Sequence, residues 1–324
     1  MAEAHLLDWL LAATALAAAG TAVLPRLRIA QAMGFLVLGV VASLIWLRMG
    51  SVDVALAEAG LGGGLLGAVL VYLAAAPSTG TDERGGPAGA GRLRARLNAM
   101  FGIIAGATIT VVLGAAWLRA APALEETPPG WSEPLAEQMP GTGVEHEITG
   151  VLLAFRAYDT LLESGVLMLA ALAALALMDP ARLRDPAGLP EAPRNLAWMV
   201  RAAAPVLLVA GLWLLFAGSS DSGGAFQSGA LLAALLILLR VAGATLTRLH
   251  SYVLRPALVV GVLAFIAAGL LGYVLTGDWL GWDPAWAFGA ILTVEVLLTV
   301  GIAAGLYTIF LALEPQGQLE EVGG

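Results

Sequence analysis

The 324-residue chain has no cysteine and no lysine, three histidines and only 12% charged residues. Without cysteine there are no disulfides, thiolate metal sites or cysteine nucleophiles. All 16 basic residues are arginines, and arginine keeps its proton where a desolvated lysine gives one up, so a relay of titrating lysines is excluded. A net charge of −8 with no basic run leaves no surface for nucleic acid. No group of His, Asp and Glu has the spacing of a metal site, and no repeat of fixed period is evident.

What the chain does have is apolar length. With 59% hydrophobic residues and a mean hydropathy of +0.86, it carries too little polar surface to cover itself in water, so lipid is the expected solvent. Apolar runs predict an all-α, polytopic membrane protein with nine spans near residues 5–23, 29–48, 52–75, 99–118, 147–178, 198–217, 225–247, 256–276 and 286–312. Glu3 and Asp8 precede the first run and no arginine comes before Arg26, the wrong flank for a cleaved signal peptide, so a retained first helix is expected.

Arginines set the expected orientation. Arg26 and Arg28, Arg84 to Arg96, Arg182 to Arg194, and Arg248 with Arg255 follow spans one, three, five and seven, which puts those loops on one, cytoplasmic side. The 119–147 connection carries Glu125, Glu126, Glu133, Glu137, Glu145 and Glu147 against Arg119 alone. Trp9, Trp46, Trp117, Trp213, Trp279, Trp282 and Trp286 fall at the opposite span ends, as an interfacial belt does, with only Trp198 at an inner end. The expected topology is N-terminus out, C-terminus in.

Against this background a few ionisable residues stand out. Arg156, Asp159 and Glu163 lie near the middle of the apolar run from Ile148 to Met178, at i, i+3 and i+7, so one helix lines them along one stripe facing protein or water. Two readings stand: a salt-bridge network that fixes the helix, or an ion or proton path, since two acids against one arginine leave negative charge to be neutralised. In the third span Asp53 reads as a helix N-terminal acid after Ser51. Glu58 lies two turns in, about 140° away unless a π-bulge intervenes. Gly60, Gly62, Gly63, Gly64 and Gly67 formally match a dinucleotide fingerprint, but no strand precedes them, and close helix packing or local unwinding is the better use.

Glu295 is halfway along the ninth span without a charged neighbour in its helix, so it is either protonated or paired, in function or in an interhelical hydrogen bond. Arg240, His250 and Arg255 read as snorkelling or topological residues at the inner surface, and His5 and His146 as solvated ends.

Three blocks resemble known subunits. Gly34-Phe35-Leu36-Val37-Leu38-Gly39 and Val52 to Gly60 resemble the D subunit of membrane-bound hydrogenases and the C-terminal region of the Mrp antiporter A subunit. Ile148 to Glu163 is similar to the E subunit that follows it. Ala204-Pro205 and Gly223-Gly224-Ala225-Phe226-Gln227-Ser228-Gly229 are similar to the B subunit of Mrp Na+/H+ antiporters, departing from it at Ala225 and Ser228, where glycines are common.

The resemblance implies a three-helix domain at 1–80, a cytoplasmic linker at 81–98, a two-helix domain at 99–180, a linker at 181–197 and a four-helix domain at 198–324. It implies a non-enzymatic, cofactor-free subunit in a prokaryotic plasma membrane, partnered by A-, C-, D-, E-, F- and G-like subunits, with Na+ and H+ as cargo. Carried over, Asp53, Glu58, Asp159 and Glu163 become cation or proton relays, Asp159 and Glu163 transient Na+ ligands, and Arg156 their electrostatic partner; Glu295 joins them on depth alone. The alternatives are a structural or coupling subunit of a redox-driven hydrogenase or complex-I-like assembly, or a subunit of an inorganic-carbon uptake complex.

Overall fold

The computed structural model describes residues 6–25, 27–75, 130, 132–179, 183 and 193–314, and residues 100–119 other than 103, 105 and 117. Arg26, Arg84, Arg92, Arg94, Arg96, Arg182, Arg184 and most of both expected linkers lie outside them, as do His5 and Trp117. The described residues are mostly helical, with no strand among them. The chain divides into two compact units, residues 1–76 with 139–324, and residues 77–138. The smaller unit holds an apolar helix, Met100–Ala116, and a short polar helix, Ser132–Gln138.

The larger unit is a bundle of α1 (Leu6–Val23), α2 (Arg28–Arg48), α3 (Val52–Ala75), α4 (Glu147–Gly150, extended by π-helical Val151–Phe155), α5 (Ala157–Leu177), α6 (Arg194–Ala217), α7 (Ala225–Val241), α8 (Leu249–Thr276) and α9 (Ala287–Leu313). Seven of these, α1, α2, α3, α5, α6, α8 and α9, are long and apolar enough to cross a membrane. The expected 147–178 span is not one helix but breaks at Arg156, and the expected 225–247 span ends as helix at Val241, before a turn at Gly243 with φ +79°.

The centre of the bundle is α9. It packs against α5, α7 and α8, and 56% of its apolar window is buried, more than in any other span. Two apolar clusters follow it, one around Ile291, Val294, Leu298 and Ile302, the other around Tyr307, Phe310 and Leu311. With lipid outside, apolarity does not discriminate inside from outside, so helices meet through small residues that allow close contact. Gly261 of α8 lies where a Cβ would stand 2.8 Å from the Leu298 Cα, and Gly229 of α7 where one would stand 2.6 Å from Ile302.

The α1–α2 hairpin is closed the same way, by Gly34 against Thr21 and Ala22, with Arg48 and Asp8 paired at 2.9 Å across its open end. The glycine-rich part of α3 is π-helical over Ala59–Leu66, and a Cβ at Gly39 of α2 would fall 2.5 Å from the Gly63 nitrogen there. The glycines expected to serve both packing and unwinding do both at one crossing.

At the end of the bundle reached by the last turn of α9, two groups read from the sequence as snorkelling are buried. Arg240 is 3% exposed and grips Glu314 through Nη2 (3.0 Å) and Nε (3.4 Å). His250, 2% exposed, has Nδ1 2.9 Å from the Leu183 carbonyl and Nε2 2.8 Å from the Tyr307 hydroxyl. A carbonyl only accepts, so Nδ1 carries the hydrogen and Nε2 receives the tyrosine O–H. Helical periodicity places Arg240 and His250 near a span end. It does not reveal that α9 brings Glu314 and Tyr307 to meet them.

Two expected outcomes test this packing. Gly39→Val forces α2 off α3 and costs about 1–3 kcal/mol, read as earlier thermal unfolding of the detergent-purified protein; Gly165→Ala, with nothing within 4 Å of its Cβ, leaves unfolding unchanged or later. Tyr307→Phe removes the donor to His250 and costs about 1 kcal/mol on the same measurement, whereas Tyr252→Phe, on an exposed side chain, costs nothing measurable.

Candidate functional site

Asp53 occupies the first turn of α3, and Ser51 before it makes no side-chain cap. The expected role as a helix N-terminal acid describes its place but not its partners. Its carboxylate lies 3.1 Å from His146 Nε2 through both oxygens, accepts the Ser222 hydroxyl at 3.2 Å and accepts the Gly223 N–H at 3.3 Å. Its backbone carbonyl accepts from the Gln227 amide at 3.3 Å. His146 is therefore no solvated end: its side chain is 18% exposed, that of Asp53 16%.

The other half of this latch is the turn between α6 and α7. The N–H groups of Glu145 and His146 donate to the Ser219 carbonyl at 2.9 and 3.2 Å, and the Thr149 hydroxyl donates to the Gly218 carbonyl at 2.5 Å. The N–H groups of Gly218 and Gly224 both return to the Leu214 carbonyl, and Gly224 has φ +110°, a conformation open to glycine at little cost. Three stretches distant in sequence, at 53, 145–149 and 218–227, thus form one polar joint.

Glu295 meets the same turn from α9. A Cβ on Gly218 or on Gly224 would stand 3.2 Å from its Oε1, and the two glycine backbones are so close that a Cβ on Gly218 would lie 2.6 Å from the Gly224 Cα. Two missing side chains make the notch that holds the carboxyl. Glu295 is 2% exposed, and its Oε2 has no hydrogen-bond partner among the described residues. Thr299 bonds the Glu295 main-chain carbonyl, not the carboxyl.

Glu58 is the last residue before the π-helical segment, so the five residues from Asp53 keep α-helical geometry and the two acids stay about 140° apart. The π-helix exists but begins too late to bring them together. The Glu58 carboxyl lies over Gly62, where a Cβ would overlap it.

Arg156, Asp159 and Glu163 sit on a broken helix. After π-helical Val151–Phe155, Arg156 adopts φ −123° and ψ 35°, and α5 starts at Ala157. The Thr160 hydroxyl donates to the Leu152 carbonyl at 2.7 Å, capturing an acceptor near the break. Arg156 thus precedes the helix, and Asp159, in its first turn, meets the Arg156 guanidinium at 2.5 Å. Asp159 and Glu163, four residues apart, share a stripe. The buried face of α5 is the other one, Ala157, Thr160, Ser164 and Ala171. The charged stripe faces away from the bundle of the larger unit, with Arg156 70% and Asp159 51% exposed, among exposed Tyr158, Leu162 and Val166.

The five acids and one arginine picked from the sequence therefore do not form one cluster. Asp53 and Glu295 border one turn, Glu58 lies on the π-helical crossing, and the Arg156 group occupies an open face. Sequence reasoning missed His146, Ser222 and Gln227, for which the signal was weak: one histidine between two acids, and a polar pair inside a glycine-rich stretch. The Asp53–His146 contact predicts that Asp53→Asn and His146→Gln are non-additive by about 0.5–3 kcal/mol in a double-mutant cycle of thermal stability.

Residues 195–312 match the family described as a domain related to the MnhB subunit of Na+/H+ antiporter, and residues 13–76 match the MbhD family, the D subunit of MBH. No curated protein matches the chain. Among solved structures, the Mrp complex from Dietzia sp. DQ12-45-1b superposes with a TM-score of 0.70 at 20% identity over 99% of this chain and 36% of that one, so this chain spans about a third of its length. The membrane-bound sulfane sulfur reductase (MBS), an archaeal respiratory membrane complex, gives a TM-score of 0.48 at 22% identity over 63% of this chain and 94% of that one. One helical chain thus carries an MbhD-type domain at residues 13–76 and, at residues 195–312, a domain related to the MnhB subunit of Na+/H+ antiporter.

Proposed function

We propose that the chain is a subunit of a multisubunit Mrp-type Na+/H+ antiporter in a prokaryotic plasma membrane, contributing a carboxylate-lined path beside separate proton-pumping subunits. The observation that carries this reading is the Arg156–Asp159–Glu163 stripe. It lies on the outward face of a membrane helix, directly after a backbone break. Charges and irregular backbone are too costly against lipid and belong where protein or water covers them. Another subunit therefore lies on this face and completes a hydrated path with it.

Along that path Asp159 and Glu163 bind Na+ or H+ in alternation. Hard carboxylate oxygens suit a hard cation, and competition between the two ions for one carboxylate couples their movements. Arg156 holds Asp159 in place and offsets part of its charge, leaving Glu163 to exchange. Asp53, Glu58 and Glu295 serve the same traffic from inside the bundle. Domains at 1–80, 99–180 and 198–324 with cytoplasmic linkers, the N-terminus out and the C-terminus in, complete the reading; the Asp53 end of the bundle then faces outward and the Glu314 end inward.

A second reading is favoured by the MbhD match at 13–76: a coupling subunit of a redox-driven assembly. The two separate in reconstituted vesicles. Glu163→Gln and Asp159→Asn are expected to abolish Na+-dependent proton flux, by roughly two orders of magnitude or more, with the complex still assembled on native gels. Unchanged flux in both variants would reduce these acids to scaffolding and leave the coupling role.

A further inference from the structure

The deepest carboxyl in the bundle and the partly buried Asp53–His146 pair share one turn. Gln227 connects them. Its Nε2 donates to the Asp53 carbonyl at 3.3 Å, and its Oε1 lies 3.8 Å from the point where a Gly224 Cβ would stand, the same point that Glu295 Oε1 approaches to 3.2 Å. Two polar side chains thus border one glycine, at a separation that one or two waters span. The turn meets α9 eight residues after its start, about 12 Å along the helix axis, so this polar connection reaches well below the helix end.

Nothing described beside Glu295 neutralises a carboxylate. The turn presents glycine backbone and Gln227. On α5, Asp159 and Glu163 point away from the bundle. On α7, Arg240 pairs with Glu314, which lies nineteen residues beyond Glu295, and on α8 His250 bonds Tyr307, while Tyr273 is exposed. An acid in such surroundings is kept by holding a proton. Its Oε2 is buried without a hydrogen-bond partner among the described residues.

We infer that Glu295 is a proton-binding site, set in the notch of the Gly218–Gly224 turn and reached from the membrane surface past the His146–Asp53 pair. The inference rests on the reading of the chain as a transport subunit, and it assigns His146 a part in that traffic. An imidazole nitrogen can take up a proton from water and pass one on. Asp53 orients it, Ser222 and Gly223 hold Asp53, and the Gln227 amide orients water between that pair and Glu295. The proton leaves the imidazole, passes through this water and arrives on Oε2, with no other bond changed.

The test uses the intact complex in membranes. Dicyclohexylcarbodiimide modifies protonated carboxyls in apolar sites, so peptide mapping of the wild-type complex should find the adduct on Glu295, without any variant that might fail to fold. Infrared difference spectra should show a carboxylic C=O band that vanishes in Glu295→Gln and shifts in D2O. His146→Gln should slow that shift by roughly tenfold or more while the band remains. An absent adduct and band, a band that appears only when Na+ is withdrawn, or an unchanged rate in His146→Gln would each overturn the inference. A band and adduct present in vesicles that show no Na+-dependent flux would support the proton site and remove the transport reading instead.

Discussion

The carboxylate of Asp53 is where three stretches of the chain are held together. It accepts the Ser222 hydroxyl and the Gly223 N–H and faces His146. Hydrogen bonds to a charged group are worth about 1.5–3 kcal/mol each, and more is lost when such a group is left buried without them. A single acid at the head of α3 thus fixes the 145–149 segment against the α6–α7 turn, and through that turn sets the position of Glu295. Apolar burial contributes less selectivity here, because lipid offers the outer faces the same environment as the interior.

Three departures from α-helical geometry recur beside ionisable groups. The π-helical segments Ala59–Leu66, Val151–Phe155 and Leu249–Val253 have Glu58 at the start of the first, Arg156 at the end of the second and His250 within the third. A π-helical turn shifts the residues after it around the axis and loosens carbonyls from their usual partners. In the first case it lets Gly63 meet Gly39; in the second it ends a helix so that Arg156 pairs with the first turn of the next; in the third it accompanies the His250–Tyr307 contact. Irregular backbone at membrane depth persists only where other groups take up its hydrogen bonds, as the Thr160 hydroxyl does for the Leu152 carbonyl.

The acidic residues occupy two environments that call for different chemistry. Asp159 and Glu163 lie on an exposed stripe of α5, where Asp159 pairs with Arg156. Glu295 is enclosed by α9 and a glycine turn and is 2% exposed. Asp159 and Glu163 ride on α5 and Glu295 on α9, two helices that pack on each other. The chain thus carries an exposed charged stripe and a buried acid on two different helices.

Composition and periodicity alone determined the membrane setting, the all-helical class and the positions of most spans, because a bilayer demands long apolar helices and any sequence that meets the demand shows it directly. They also drew attention to Asp53, Glu163 and Glu295, since ionisable residues at depth are costly enough to be conspicuous. Only the tertiary structure decided what these groups face. The partners of Asp53 lie 93 and 169 residues away, Arg240 and His250 turn inward because α9 carries Glu314 and Tyr307 to them, and the Arg156 stripe turns outward because the small residues Ala157, Ser164 and Ala171 are what α5 packs on its neighbours. Helical spacing fixes which residues share a stripe, but which stripe is buried depends on where the neighbouring helices can approach most closely.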